Sequence, residues 1–205
     1  MNDSISSSDR LVKALNKETR YCVLDCSVFM EAKASDTLGR LLEISWRESE
    51  SLGYGSACLG FDQKIRLIQD IKGISTETKT KFQSFMAIRN KFAHMEEIDS
   101  FANYFKLIKS SKARKKELKK WYPNIRWDSE DIEGIYKFAY FRLTLELFRA
   151  LFDIDSKHAF EKGKKQGIEN AKQMFIDNIR ELLEATEEGR RTLNETFEKI
   201  NKNGG

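Results

Sequence analysis

Pro123 is the only proline in 205 residues, and only 11 glycines accompany it. So few turn-formers cannot punctuate a chain of many short strands, because each strand end needs the backbone conformations these residues supply. Long helices are the alternative, and apolar residues do recur at three- and four-residue steps through most of the sequence. Hydrophobic residues at 40% and charged residues at 33% describe a globular chain with a full core. The expected fold is all-α: an up-and-down helical bundle over residues 1–155 with a basic insert at 108–127, and a long C-terminal helical extension over 156–205.

Several classes are excluded. No stretch approaches the ~18 to 20 apolar residues of a membrane span, and the opening MNDSISSSDR lacks the basic and apolar regions of a signal peptide. A cytoplasmic protein without a membrane partner is expected. Cys22 and Cys26 sit one helical turn apart on an apolar segment, with Cys58 distant, and all three read as reduced thiols in or near the core. His94 and His158 are the only histidines, so no zinc-ligand spacing assembles, and neither metal nor cofactor is expected.

In chain order, Ser6 to Asp9 offer cap chemistry for a short helix ending near Lys17. A second helix spans about Thr19 to Ala34, and a third restarts at Ser35 or Asp36 and runs through Leu38, Leu42 and Trp46. The glycine-rich stretch Leu52 to Gly60 lacks phosphate-loop spacing and reads as a connector. Phe61 to Ile71 is helical, Gly73 stops it, and Ser75 or Thr76 opens the next helix. After a basic stretch, Glu130 to Phe152 is apolar on nearly every side, as a central bundle helix is. From Lys157 onward, Ile168, Ala171, Phe175, Ile179, Leu182, Leu193, Phe197 and Ile200 form a stripe suited to the bundle, a second protomer or another protein. His158 reads as a surface residue.

The helix beginning near Ser75 carries the chemistry. At about 100° per residue, Phe82, Phe85, Ile88, Phe92, Ala93 and Met95 share a broad apolar arc, and Arg89 falls inside it. A guanidinium there needs an acidic or phosphate partner, because an unpaired buried charge costs several kcal/mol or more. Asp25 and Glu146 are candidate internal partners. Asn90 and His94, four residues apart, share a more polar face. A structural ion pair at Arg89 with a solvated His94 accounts for the same residues.

The stretch GFDQKIRLIQDIKGISTETKTKFQSFMAIRNKFAH resembles the core of the HEPN superfamily, most closely the mannitol repressor group, with the likeness covering residues 19–101. The matching features are the Lys64-Ile65 pair opening a helix, the Ile-Lys-Gly-Ile-Ser turn, and a helix closing on Ile-Arg-Asn-Lys-Phe-Ala-His. The helix at Cys22 to Glu31 resembles that group too, with Glu31 at an acidic position, a third candidate partner of Arg89. Asp25 departs from the small or apolar residue usual there. The resemblance implies a helical bundle that dimerises and joins two copies of the Arg89 to His94 segment. It implies, for many members, a metal-independent ribonuclease in which the RNA 2′-hydroxyl attacks the adjacent phosphate. Other members are silent binders or regulators, so the fold alone does not decide activity.

Arg89, Asn90 and His94 are the expected catalytic set: arginine grips phosphate bidentately and histidine titrates near neutral pH. Arg89 and His94 point about 140° apart on an ideal helix, so a homodimer is needed to pool two copies. The net charge of +4 requires local clusters for nucleic-acid binding. Lys109, Lys112, Arg114, Lys115, Lys116, Lys119 and Lys120, followed by Trp121, Tyr122 and Trp127, are the expected RNA-binding surface, with salt-sensitive affinity. A solvated helix face with core-anchored aromatics accounts for the same run. The readings are an endoribonuclease, in the manner of a toxin or defence effector; a non-catalytic regulator engaging a protein partner through its C-terminal helix; and a nucleotide or small-ligand module.

Overall fold

The computed structural model describes residues 13–184 and contains helices and connecting turns, with no strand among the described residues. The all-α expectation holds. The helices are α1 Thr19–Leu42, α2 Phe61–Lys72, α3 Thr76–His94, α4 Phe101–Leu107, α5 Ser111–Trp121 and α6 Ile132–Glu184. The chain divides into two compact units, Met1–Ser156 and Lys157–Gly205. Among the described residues no helix is long and apolar enough to cross a membrane.

Local chemistry sets most boundaries. Ser75 Oγ accepts a hydrogen bond from the Thr78 amide at 3.1 Å and starts α3. Gly73 closes α2 at φ 73°, a left-handed conformation that costs glycine little. Asp131 Oδ1 accepts from the Gly134 amide at 2.8 Å at the entry to α6.

Two sequence boundaries are corrected. α1 runs unbroken through Ser35 and Asp36, because Asp36 bonds the side chain of Arg40 one turn on at 3.1 Å instead of capping a backbone amide. It ends at Glu43, where Gly39 lets the chain fold back: a Cβ there would lie 3.0 Å from the Ile44 carbonyl oxygen. α6 joins the two helices expected at 130–152 and beyond 157 into one of 53 residues. The intervening Asp153 to Ser156 contains neither proline nor glycine to stop it.

Contacts define the packing. Phe29 lies 5.1 Å from Phe148, Lys33 pairs with Asp155, and Thr19 bonds Glu133, so α1 and α6 run in the same direction. α3 runs against α6, with Lys81 on Glu146 and the Phe85 ring stacked 5.0 Å from Tyr140. Rings of Phe92, Phe101, Tyr104, Phe105 and Tyr136 continue this core toward the C-terminal end of α3. α6 is not buried all round as its sequence suggests. Tyr136, Tyr140, Leu143, Leu147 and Leu151 face inward, while Phe138, Leu145 and Phe152 are exposed.

Glu133 joins three helices. Its carboxylate accepts from the Phe101 and Ala102 amides at 2.9 and 3.1 Å, satisfying the first turn of α4, and from Thr19 Oγ1 at 2.5 Å. Glu133→Ala is expected to cost about 2 kcal/mol, because charge-assisted bonds are lost and two amides are left unpaired. A shift in the urea midpoint at unchanged slope measures it; no shift would mean water replaces the carboxylate.

In the second unit the described residues are helical to Glu184, and Phe160, Ile168, Met174 and Ile176 are exposed. His158 is half-buried with Nε2 sealed from solvent, against the surface position expected for it. The cap expected at Ser6 to Asp9, and Leu193, Phe197 and Ile200, lie outside the described residues.

Candidate functional site

α3 presents Arg89, Asn90 and His94 over its last two turns. Phe85, Ile88 and Phe92 are fully buried on the face opposite Asn90 and His94, and Arg89 sits at the edge of that apolar arc. Arg89 is half-buried, and Asn90 and His94 are exposed. The Arg89 guanidinium donates to Asn90 Oδ1 at 3.1 Å and forms no ion pair among the described residues.

This corrects the expected internal partners. Asp25 pairs with Lys17 at 2.5 Å, Glu31 with Lys64 at 3.6 Å, and Glu146 with Lys81 at 2.5 Å. The physical reason is reach. Arg89 is half-buried and its guanidinium reaches the exposed Asn90, so no buried carboxylate is required. Lys64 and Lys81 are the deeply buried cations, and they take the acids.

Sequence reading missed Arg20, whose guanidinium donates to the Met95 and Glu96 carbonyls at 3.3 and 3.0 Å. It satisfies backbone acceptors just beyond the end of α3 and adds a cation there. No local signal announces it, because 75 residues separate the partners. His94 has no hydrogen bond to Arg89 or Asn90. Among the described residues no cluster of His, Cys, Asp and Glu could hold a metal ion.

No family model, curated protein or solved structure matches the chain. The chemistry is therefore a matter of these side chains and their surroundings.

α5 sorts the seven basic residues into two groups. Arg114 turns inward, donating to Ser84 Oγ on α3 at 2.5 Å and to Glu117 at 2.6 Å. Lys115 lies over the Phe105 and Tyr136 rings, and Lys119 over Trp127. Lys109, Lys112, Lys116, Lys119 and Lys120 are exposed, and Lys112, Lys116 and Lys120 repeat every fourth residue along one face. The nearby aromatics are anchored: the Tyr122 hydroxyl donates to Glu146 at 2.8 Å, and Trp127 Nε1 donates to the Tyr122 carbonyl at 2.9 Å. Arg114, Tyr122 and Trp127 thus belong to the scaffold, because α5 needs an anchor on α3 and α6.

Behind the site, burial and hydrogen bonding shift several ionisable groups of the core. Cys22 and Cys26 are buried and free; the hydrogen bond between them, reinforced by burial, pushes the Cys26 thiol far up, while the same bond lowers Cys22. Tyr140 is fully buried with its hydroxyl unpartnered among the described residues; burial holds its pKa well above the usual phenol value, and the charge of Arg89 opposes the rise. Burial likewise pushes Tyr104 and Tyr136 up to about 12. A folded-state pKa raised above the unfolded value of about 10 gives stability that is complete below pH ~10 and is lost as pH rises through ~12. Far-ultraviolet circular dichroism should report cooperative unfolding in that window; because Tyr21 and Tyr54 are exposed, phenolate absorbance from more than two of the six tyrosines near pH 10 in a fully helical protein would contradict it.

Proposed function

We propose that this chain is a metal-independent endoribonuclease of the HEPN-like kind, acting as a homodimer in the manner of a toxin or defence effector. One observation carries the reading. Lys17, Lys33, Lys64, Lys81 and Arg114 each pair with a carboxylate, while Arg89 is left without one, beside exposed Asn90 and His94. A guanidinium so placed suits a phosphate, which it grips through two parallel hydrogen bonds.

In the proposed reaction Arg89 holds the scissile phosphate and balances charge on its oxygens. His94 takes the proton from the RNA 2′-hydroxyl as the 2′-oxygen to phosphorus bond forms. The 5′-oxygen leaves as its bond to phosphorus breaks and receives a proton from the partner's His94. Asn90 orients Arg89 through the bond they share. Lys109, Lys112, Lys116 and Lys120 supply a backbone track, carried on the helix that Arg114 fixes to Ser84, five residues from Arg89. Each phosphate contact made along it should add about 0.7 to the slope of log affinity against log salt for single strands.

The test is incubation of the full chain with single-stranded RNA in chelator. Products ending in 2′,3′-cyclic phosphate are expected, and intact RNA at saturating protein would sink the proposal. A second reading has its own support: His94 has no hydrogen bond to Arg89 or Asn90 to orient its ring, as a non-catalytic regulator tolerates. That reading expects nucleic-acid or protein binding without cleavage, and binding that survives His94→Ala.

A further inference from the structure

The polar face of α3 does not end at Asn90. At about 100° per residue, Lys79, Gln83, Met86, Asn90 and His94 all fall within an arc of about 80°. The upper part of that arc is one wall of a cleft between α2 and α3 of about 380 Å³, at the small end of ligand-site volumes. Phe61, Ile65, Phe82 and Met86 form an apolar floor, and Gln69 on α2 faces the cleft opposite Gln83 on α3. Neither glutamine side chain takes part in a hydrogen bond within the described residues, whereas Asp62 and Arg66 at the rim are spent on each other at 2.8 Å. From Met86 the helix rises about 6 Å to Asn90, a gap that a nucleotide's sugar and phosphate bridge, and about 12 Å to His94.

We propose that this cleft is a nucleobase pocket, selective for adenine, belonging to the site at Arg89, Asn90 and His94. Three features select the occupant. An apolar floor containing two phenylalanines, their rings tilted 56° to each other, packs against an unstacked base, as single-stranded RNA offers. Two unengaged side-chain amides on opposite walls each present a donor beside an acceptor, the pattern that pairs with an adenine edge. Adenine carries a donor next to an acceptor on both its Watson–Crick and its Hoogsteen edge and so satisfies both glutamines, whereas uracil offers such a pair on its Watson–Crick edge alone. Lys79 at the same cleft adds a cation for the strand's backbone, and the Asp70 carboxylate lines the cleft as well.

This inference rests on the reading of Arg89 to His94 as an RNA site, and the experiment separates the two. Adenosine 3′-monophosphate, uridine 3′-monophosphate and inorganic phosphate are titrated into the full chain while the side-chain amide resonances of Gln69 and Gln83 and the methyl of Met86 are followed. The adenine nucleotide should move all three signals and saturate at a concentration about 10-fold or more below the uracil nucleotide, the discrimination of one good bidentate pair. Phosphate alone should leave them in place. Gln69→Leu with Gln83→Leu, which keeps the floor, should bring the two nucleotides to equal affinity. Cleft signals that ignore nucleotides, or a preference unchanged in the double variant, overturn the pocket. RNA cleavage is assayed on the same samples. Adenine-selective occupancy without cleavage keeps the pocket and removes the ribonuclease reading; cleavage with silent cleft signals does the reverse.

Discussion

Lys33→Met is expected to cost the bundle about 3 kcal/mol, enough to lower the population of folded protein more than a hundredfold relative to unfolded. Lys33 and Asp155 join α1 to α6 with side chains only 11% and 9% exposed. The ammonium also lies 5.8 Å from the Phe148 ring and 3.4 Å from Asp36. Asp155 Oδ1 already lacks a partner, so removal of the lysine strands a buried carboxylate with Arg40, 4.0 Å away, as its remaining cation. Methionine matches the lysine stem in length, which keeps the cavity contribution small and isolates the electrostatic one. Adding Asp155→Leu to Lys33→Met should recover most of the loss, because an apolar pair of similar volume replaces a buried ion pair with little penalty. The urea midpoint at constant slope reads both variants. A loss below about 1 kcal/mol would show Arg40 moving in to compensate, and the pair would then be worth no more than a surface bridge.

The helical class and several boundaries are local properties, which is why they can be read without coordinates. Gly73 needs its left-handed backbone and Ser75 its free amide, and both signals lie within four residues of the boundary they set. The two misplaced boundaries share one cause. Asp36 has a cap residue's chemistry, but its carboxylate is claimed by Arg40 and Lys33, and only the packing of those side chains decides between cap and bridge. Continuity of α6 through residue 157 is a different case: a pause in the apolar pattern is not a break in the helix unless a glycine or proline acts there, and Gly163 further on stays helical.

At the candidate site, sequence misjudges the partners of Arg89. Arg89 on an apolar arc implies an internal acid only if the head is as buried as the stem, and arginine is long enough to separate them. Likewise, seven cations around α5 look equivalent in a sequence. The core distinguishes them, taking Arg114 for Ser84 and Glu117 and leaving Lys112, Lys116 and Lys120 outward. Gln69 and Gln83 give no signal before folding, because a glutamine facing a cleft and a glutamine facing solvent have the same local pattern. Only the crossing of α2 and α3 puts their amides on one opening.

His94→Ala should remove about two to four orders of magnitude from RNA cleavage, the range general acid–base catalysis supplies. Because His94 is exposed at the end of α3, the fold should lose no more than about 0.5 kcal/mol. That separation of activity from stability is what distinguishes a catalytic imidazole from a structural one. The proposed reaction calls for a dimer: about 140° divides Arg89 from His94 on one helix, and in that proposal one histidine takes a proton while a second gives one. Mixing wild type with His94→Ala protomers at equal ratio should therefore leave about a quarter of the activity, the fraction of dimers with both imidazoles, where independent protomers would leave about half. Arg89→Lys tests the remaining partner. An ammonium keeps the charge but loses the two-pronged grip, so cleavage should fall while the salt dependence of RNA binding stays the same. Activity that scales linearly with wild-type fraction would place the whole reaction within one protomer, and the helix would then have to unwind before His94 to bring its imidazole to Arg89.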